Sequence, residues 1–270
     1  MIKKIFIVIL LINVVTLNAF SQEEEPYQKK GFFLGLGFGA HFANRNTAII
    51  YDGVSKFSFV GIGYYFTTEP FRTQFEEYFK YPYEIVELPT DIKYRPGREI
   101  SWQLGYRFEE GSTFYLEANF AQLSIQDAFV VAINDPNRKS PEKLLQQIPV
   151  FGKEQRLNIN TGFQIPFVQE HGFTAYFPLF ANINSTKLER NYFVINNQQY
   201  QIMHNFPGVT NTRIGGMGYG AGSGLGIKMK FNKNLTLDIA YNLIYSRIRM
   251  TDDLRPFGSH HSIFAKIIWG

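Results

Sequence analysis

The chain of 270 residues contains no cysteine. That excludes a disulfide framework, a thiol nucleophile, a lipid anchor on cysteine and a thiolate metal site. Net charge is also scarce. The 27 basic and 23 acidic residues leave +4, which gives no electrostatic reason to expect nucleic acid as a partner. Beyond the N-terminus no apolar run approaches the roughly 18 residues that a spanning helix requires. The glycines follow no period of three, so a collagen-like triple helix is excluded, and an apolar share of 45% excludes a disordered chain. What is abundant is aromatic. Phe, Tyr and Trp make up 17% of the chain, yet mean hydropathy is only −0.16. A wall that is apolar on one face and polar on the other reconciles the two values, and a transmembrane barrel is built that way.

Lys3 and Lys4 precede an apolar stretch from Ile5 to Val15, with small residues following at Ala19 and Ser21. This is the order of a secretory signal. It predicts a signal segment over 1–21, a short lead-in over 22–30 and a single barrel domain over 31–270.

The rest of the chain reads in twos. Phe32, Leu34, Leu36, Phe38, Ala40 and Phe42 alternate with Gly35, Gly37, Gly39 and His41, which is the period of a strand. The pattern returns over 99–108, 114–121, 156–165, 173–184, 216–229, 235–246 and 262–269, giving eight strands. Their connections alternate in length. Short turns fall at 109–112, 167–172 and 232–234, long loops at 44–98, 127–154 and 187–211, and a connection of modest length at 251–258. Outer-membrane barrels pair tight periplasmic turns with long extracellular loops in this way. The expected fold is therefore all-β: an eight-stranded antiparallel up-and-down transmembrane β-barrel in the outer membrane, both termini periplasmic, with long extracellular loops containing short helices.

An eight-stranded interior can be filled by side chains. The inward face should carry Glu99, Arg107, Glu117, Arg156, Lys228, Lys230, Asp238 and Lys266, either as a plug of mutually satisfied charges or as a gated pore opened by rearranging them. The glycine stripe over 216–226 resembles a dinucleotide-binding fingerprint, but no helix follows it to hold a pyrophosphate. Space for Phe33, Tyr115, Tyr176 and Phe180 in the interior is the better explanation.

Enzymatic residues are sparse. His260 and Ser262 lie two apart on one strand and thus on one face, with Asp252 and Asp253 in the preceding loop. Barrel lipid A deacylases use a similar His-x-Ser arrangement, but their flanking residues are not evident here. The ordinary reading is a pair of polar residues at the extracellular rim. No histidine or carboxylate spacing suits a metal, and no cofactor is expected.

In the first loop, 70–79 reads as a short helix with Phe71, Phe75 and Phe79 recurring every four residues, and Tyr78, Tyr81 and Tyr83 extend the aromatic surface. These rings either cap the barrel mouth or form a surface that docks a protein or glycan. A second helix is expected over 140–147, begun by Ser140-Pro141-Glu142, and a hairpin around Asn196-Asn197.

The signal ending Ala19-Phe20-Ser21-Gln22, the glycine-rich opening strand 32–42 and the closing Ile267-Ile268-Trp269-Gly270 resemble those of the small outer-membrane β-barrel proteins common in Bacteroidota. The resemblance spans the mature chain and is one of architecture, without a diagnostic motif. It implies a non-enzymatic scaffold, anchor or accessory subunit of an outer-membrane complex, as in secretion or gliding machinery. Outer-membrane lipid and lipopolysaccharide would surround it, and a protein would be its partner in an outer-membrane or periplasmic complex. A lipid A-modifying hydrolase and a narrow gated channel are the alternatives.

Overall fold

The computed structural model describes residues 30–54, 56–140, 142–170, 172–205 and 214–270, so the signal segment and the lead-in through residue 29 lie outside the described residues. Among the described residues ten strands form: β1 (Gly31–Phe42), β2 (Tyr83–Glu87), β3 (Tyr94–Arg107), β4 (Thr113–Ile133), β5 (Leu144–Glu170), β6 (Phe173–Ile195), β7 (Gln198–Gln201), β8 (Gly215–Lys230), β9 (Leu235–Arg247) and β10 (Phe257–Trp269). Eight of them close a ring. β1 pairs with β3, which continues through β4, β5, β6, β8, β9 and β10 back to β1, every pair antiparallel. Each long strand thus lies between its neighbours in sequence, and the sheet has no edge at this level.

The alternation read from sequence decides which way each side chain points. Leu104 and Ile159 face out and Gln103 and Asn160 face in, the outer pair exposed and the inner pair buried. The turns over 108–112 and 231–234, the end of β5 and the start of β6 lie at one end together with the start of β1 and the end of β10. The opposite ends of the ring strands, where the longer connections begin, form the distal end.

The remaining two strands belong to a distal extension. β4, β5 and β6 contain 21, 27 and 23 residues, against 12 in β1 and 13 in β10. Their distal halves leave the ring and gain β2 beside β4 and β7 beside β6, forming a five-stranded sheet β2–β4–β5–β6–β7. The segment over 127–154 is therefore mostly strand, not loop. The helix expected over 140–147 does not form, because Leu144 to Gln147 pair with Ile133 to Val130.

The helix expected over 70–79 does form, as α2 (Phe71–Phe79), preceded by α1 (Ile62–Thr67) and a 3-10 segment over Arg45–Tyr51 that the alternation did not foretell. The hairpin at Asn196-Asn197 also forms, with φ of 50° and 61° at its two central residues. Asparagine tolerates this left-handed conformation better than most residues.

Candidate functional site

The inward-facing charges come together in layers. Towards the turn end, Tyr176 donates to Asp238 Oδ1 at 2.6 Å, and Lys228 donates to Gln164 Oε1 at 2.5 Å with its ammonium 4.9 Å from the Tyr176 ring centre. The Arg107 guanidinium lies 5.7 Å from the centre of Phe33. One layer up, Glu117 pairs with Lys266 and accepts from Asn119 Nδ2 at 2.7 Å. Next, Glu99 Oε2 accepts from Ser262 Oγ at 2.9 Å and lies 3.3 Å from His41 Nδ1. At the barrel mouth Arg156 Nε donates to Glu154 Oε1 at 2.6 Å and Nη2 to Thr47 Oγ1 at 2.9 Å. The other Glu154 oxygen accepts from Tyr51 and Tyr94, each at 2.8 Å.

Seven of the eight charges assigned to the interior are buried there. Lys230 is the exception. It sits at the turn end, half-exposed, with its backbone N–H bonded to Gly172 O at 2.7 Å. Glu154, Thr47, Tyr51 and Tyr94 complete the network without having been singled out. Tyr51 and Thr47 arrive on the 3-10 segment, which drops into the mouth, where Ala48, Ile50 and Tyr51 pack on Ile92, Ile125, Ile248 and Met250. Burial, and then the adjacent Glu154 carboxylate, push the Tyr51 hydroxyl well above its usual range, so it remains a donor.

Aromatic rings fill the rest of the interior, and glycines leave room for them. A Cβ on Gly226 would lie 2.2 Å from Tyr176 Cζ, one on Gly222 2.3 Å from Phe180 Cζ and one on Gly105 2.3 Å from Phe33 Cζ. The stripe over 216–226 is the wall against which two of these rings rest.

His260 and Ser262 do share a face, but it is the sealed interior, not the rim: both are buried. They are also not partners. His260 Nδ1 accepts from the Asn44 backbone N–H at 3.1 Å and lies 3.2 Å from Arg156 Nη1, whereas Ser262 gives its proton to Glu99 and lies 3.0 Å from His41 Nδ1. A serine nucleophile needs a base positioned for its proton and a path to substrate. Here a carboxylate already holds the proton and neighbouring side chains cover the oxygen. Asp252 is engaged at the surface by Arg249 and Arg255.

On the distal sheet Phe75 and Phe79 are 0% and 5% exposed, packed with Phe66, Phe129, Val131, Val150, Phe193 and Tyr200. They are the core of the cap and offer nothing to a partner, because the apolar stripe of α2 lies down on the sheet. Phe71, Tyr81 and Tyr83 are partly buried against the same core. Tyr78 points outward, its hydroxyl 3.2 Å from Gln146 Nε2, and Tyr64 of α1 is 45% exposed. Of the two readings of these aromatics, the cap accounts for most of them and the docking surface retains Tyr78.

No family model and no curated protein matches the sequence. Among solved structures the chain is similar to neisserial surface protein A, at 11% identity and a TM-score of 0.45, with 89% of this chain and 98% of that chain covered. It is also similar to Ail, the attachment invasion locus protein of Yersinia pestis, at 10% identity and a TM-score of 0.36, with 89% and 99% covered.

Proposed function

We propose that this chain is an integral outer-membrane protein, its termini periplasmic, whose sealed barrel anchors a rigid extracellular cap that holds a protein partner. The reading is non-enzymatic: an accessory subunit or scaffold of an outer-membrane complex, with secretion or gliding machinery the setting suggested by the Bacteroidota-type architecture. The single observation that carries it is the distal sheet β2–β4–β5–β6–β7, which with α1 and α2 builds its own fifteen-residue buried core above a ring already filled. A barrel that only sealed itself would not need a second core.

Membrane insertion is supported by the outer wall. Leu36, Leu104, Leu116, Ile159, Leu179, Leu225, Ile239 and Ile263, drawn from all eight ring strands, are exposed there, and so continuous an apolar girdle requires lipid. Leu225→Arg should lower unfolding stability in lipid by about 2–4 kcal/mol, the cost of a guanidinium near the bilayer midplane. Urea titration of the protein in phosphatidylcholine vesicles measures it. A cost no larger than that of the interior change Asn160→Ser would mean that the wall does not face acyl chains.

The partner is tested by affinity purification from detergent-solubilised outer membranes. A stoichiometric protein should co-purify with the wild type and be lost from Tyr64→Ser/Tyr78→Ser, whose side chains face outward from α1 and α2. The barrel should still show the slower or faster gel migration on heating that marks a folded barrel. Retention of the same protein by that variant would place the docking surface elsewhere, and no co-purifying protein at all would remove the scaffold reading.

A further inference from the structure

We infer that the outer wall of β5 and β6 binds one phosphorylated glycolipid of the surrounding leaflet, with Lys153, Lys187 and Arg190 around its phosphate and Phe151 and Tyr192 against its sugar. This rests on the outer-membrane reading above, with the distal end in the outer leaflet.

Outward-facing residues climb these two strands in a fixed order. Ile159 pairs with Ile183 and Leu157 with Ser185, closing the apolar girdle. Gln155 then pairs with Lys187, Lys153 with Arg190 and Phe151 with Tyr192. A glycolipid has the same order from the bilayer outward: acyl chain, phosphate, sugar ring.

The cations are arranged against their own interest. Lys153 and Arg190 are directly opposed across the strand pair, both exposed, and Lys187 lies diagonally below Lys153. Like charges directly opposite destabilise a sheet. A surface wall that only needed solubility would interleave acids. Yet the described salt bridges involve none of these three cations. The exposed acid beside them, Glu189, sits in the β-bulge and takes the side-chain amide of Gln155 instead. The bulge is what turns Arg190 outward: without the extra residue the alternation would aim it into the barrel mouth. The same row continues to Ser124 of β4 and Arg95 of β3, adding a hydroxyl and a further cation to the side of the patch. A bound phosphate would neutralise the opposed pair and accept charge-assisted hydrogen bonds from it.

Directly above, the Phe151 and Tyr192 rings stack with centroids 5.4 Å apart and an interplanar angle of 29°. They form a flat, partly exposed platform of the kind on which the C–H face of a sugar rests.

The test uses the full protein in phosphatidylcholine nanodiscs, with bound lipid read by native mass spectrometry. The probes are bisphosphorylated lipid A, its chemically dephosphorylated counterpart and inorganic phosphate. Wild type should retain the bisphosphorylated lipid at least ten-fold more than Lys153→Gln/Arg190→Gln does, and Phe151→Ala/Tyr192→Ala should also weaken it. Lys30→Gln, at the opposite end, should match wild type. Equal retention by wild type and the double cation variant would overturn the inference, as would equal retention of the dephosphorylated lipid by wild type. Displacement by millimolar inorganic phosphate would likewise overturn it in favour of a soluble-anion site. Recovery in the membrane fraction and heat-shifted migration report on the barrel reading separately. A folded, membrane-borne protein without lipid selectivity sinks this inference alone, whereas loss of membrane recovery sinks both.

Discussion

Replacing Glu117 with Ala should destabilise the barrel by about 3–5 kcal/mol, the usual consequence of removing one partner from a buried ion pair. Glu117 is 1% exposed and Lys266 2%, and they reach each other through the interior from β4 and β10, which β3 and β1 separate in the wall. Without the carboxylate the ammonium is stranded in a closed interior, and Asn119 loses its acceptor as well. The pair itself contributes much less than this loss. Charges taken from water into a barrel recover little beyond their desolvation, so Glu117→Leu/Lys266→Met should restore most of the stability. Urea midpoints in detergent micelles for both single variants and the double variant give the coupling directly. If both single changes prove harmless, the interior is wet enough to solvate a lone ammonium and the plug description fails.

The second large effect is steric. Gly226→Val should cost about 4 kcal/mol, combining overpacking with the loss of a buried hydrogen bond. The new Cβ would lie 2.2 Å from Tyr176 Cζ and 2.4 Å from its hydroxyl, and neither wall can retreat, because β6 and β8 are paired at Tyr176 and Gly226 themselves. The ring must leave, and with it goes the 2.6 Å bond to Asp238. The same substitution in a Tyr176→Ala background should be far milder, since the space it claims is then empty. Heat-shifted gel migration and urea titration of the three variants measure this. Equal damage in both backgrounds would mean that the glycine is needed for its backbone, with no bearing on the ring.

Much of the ring was legible because its two faces meet opposite solvents, so every second residue declares itself. Leu104 beside Gln103 and Leu225 beside Gly226 are unambiguous on that rule. The distal sheet was not legible for a physical reason. Ala128 to Ile133 is an unbroken apolar run, because the inner face there meets the cap core and alternation disappears. Ser140-Pro141-Glu142 carries a helix-start signal, but pairing with β4 outweighs it. The rings of α2 were legible as a face; whether that face met solvent or a sheet could not be read before the sheet was known. The layer of His41, Glu99 and Ser262 shows a different limit. His41 and Ser262 are 221 positions apart and meet only because the last strand closes on the first in one particular register. Local spacing offered His260 as the partner, and closure supplied another histidine.

Closing the ring leaves the wall without a free edge strand, but the five-stranded extension reopens two borders, at β2 and β7. An exposed border is a template on which a second chain can add itself strand by strand, a serious hazard for proteins crowded on a surface. Both borders are blunted. β7 has only four residues, and beyond it Met203 is already bridged to Val60 of the first loop. β2 has five, two of them Glu84 and Glu87, and Glu84 is tied to Lys143 across the tip of the β4–β5 hairpin. The cap can therefore rise well clear of the barrel as an open sheet without recruiting copies of itself, and its contacts are left to side chains.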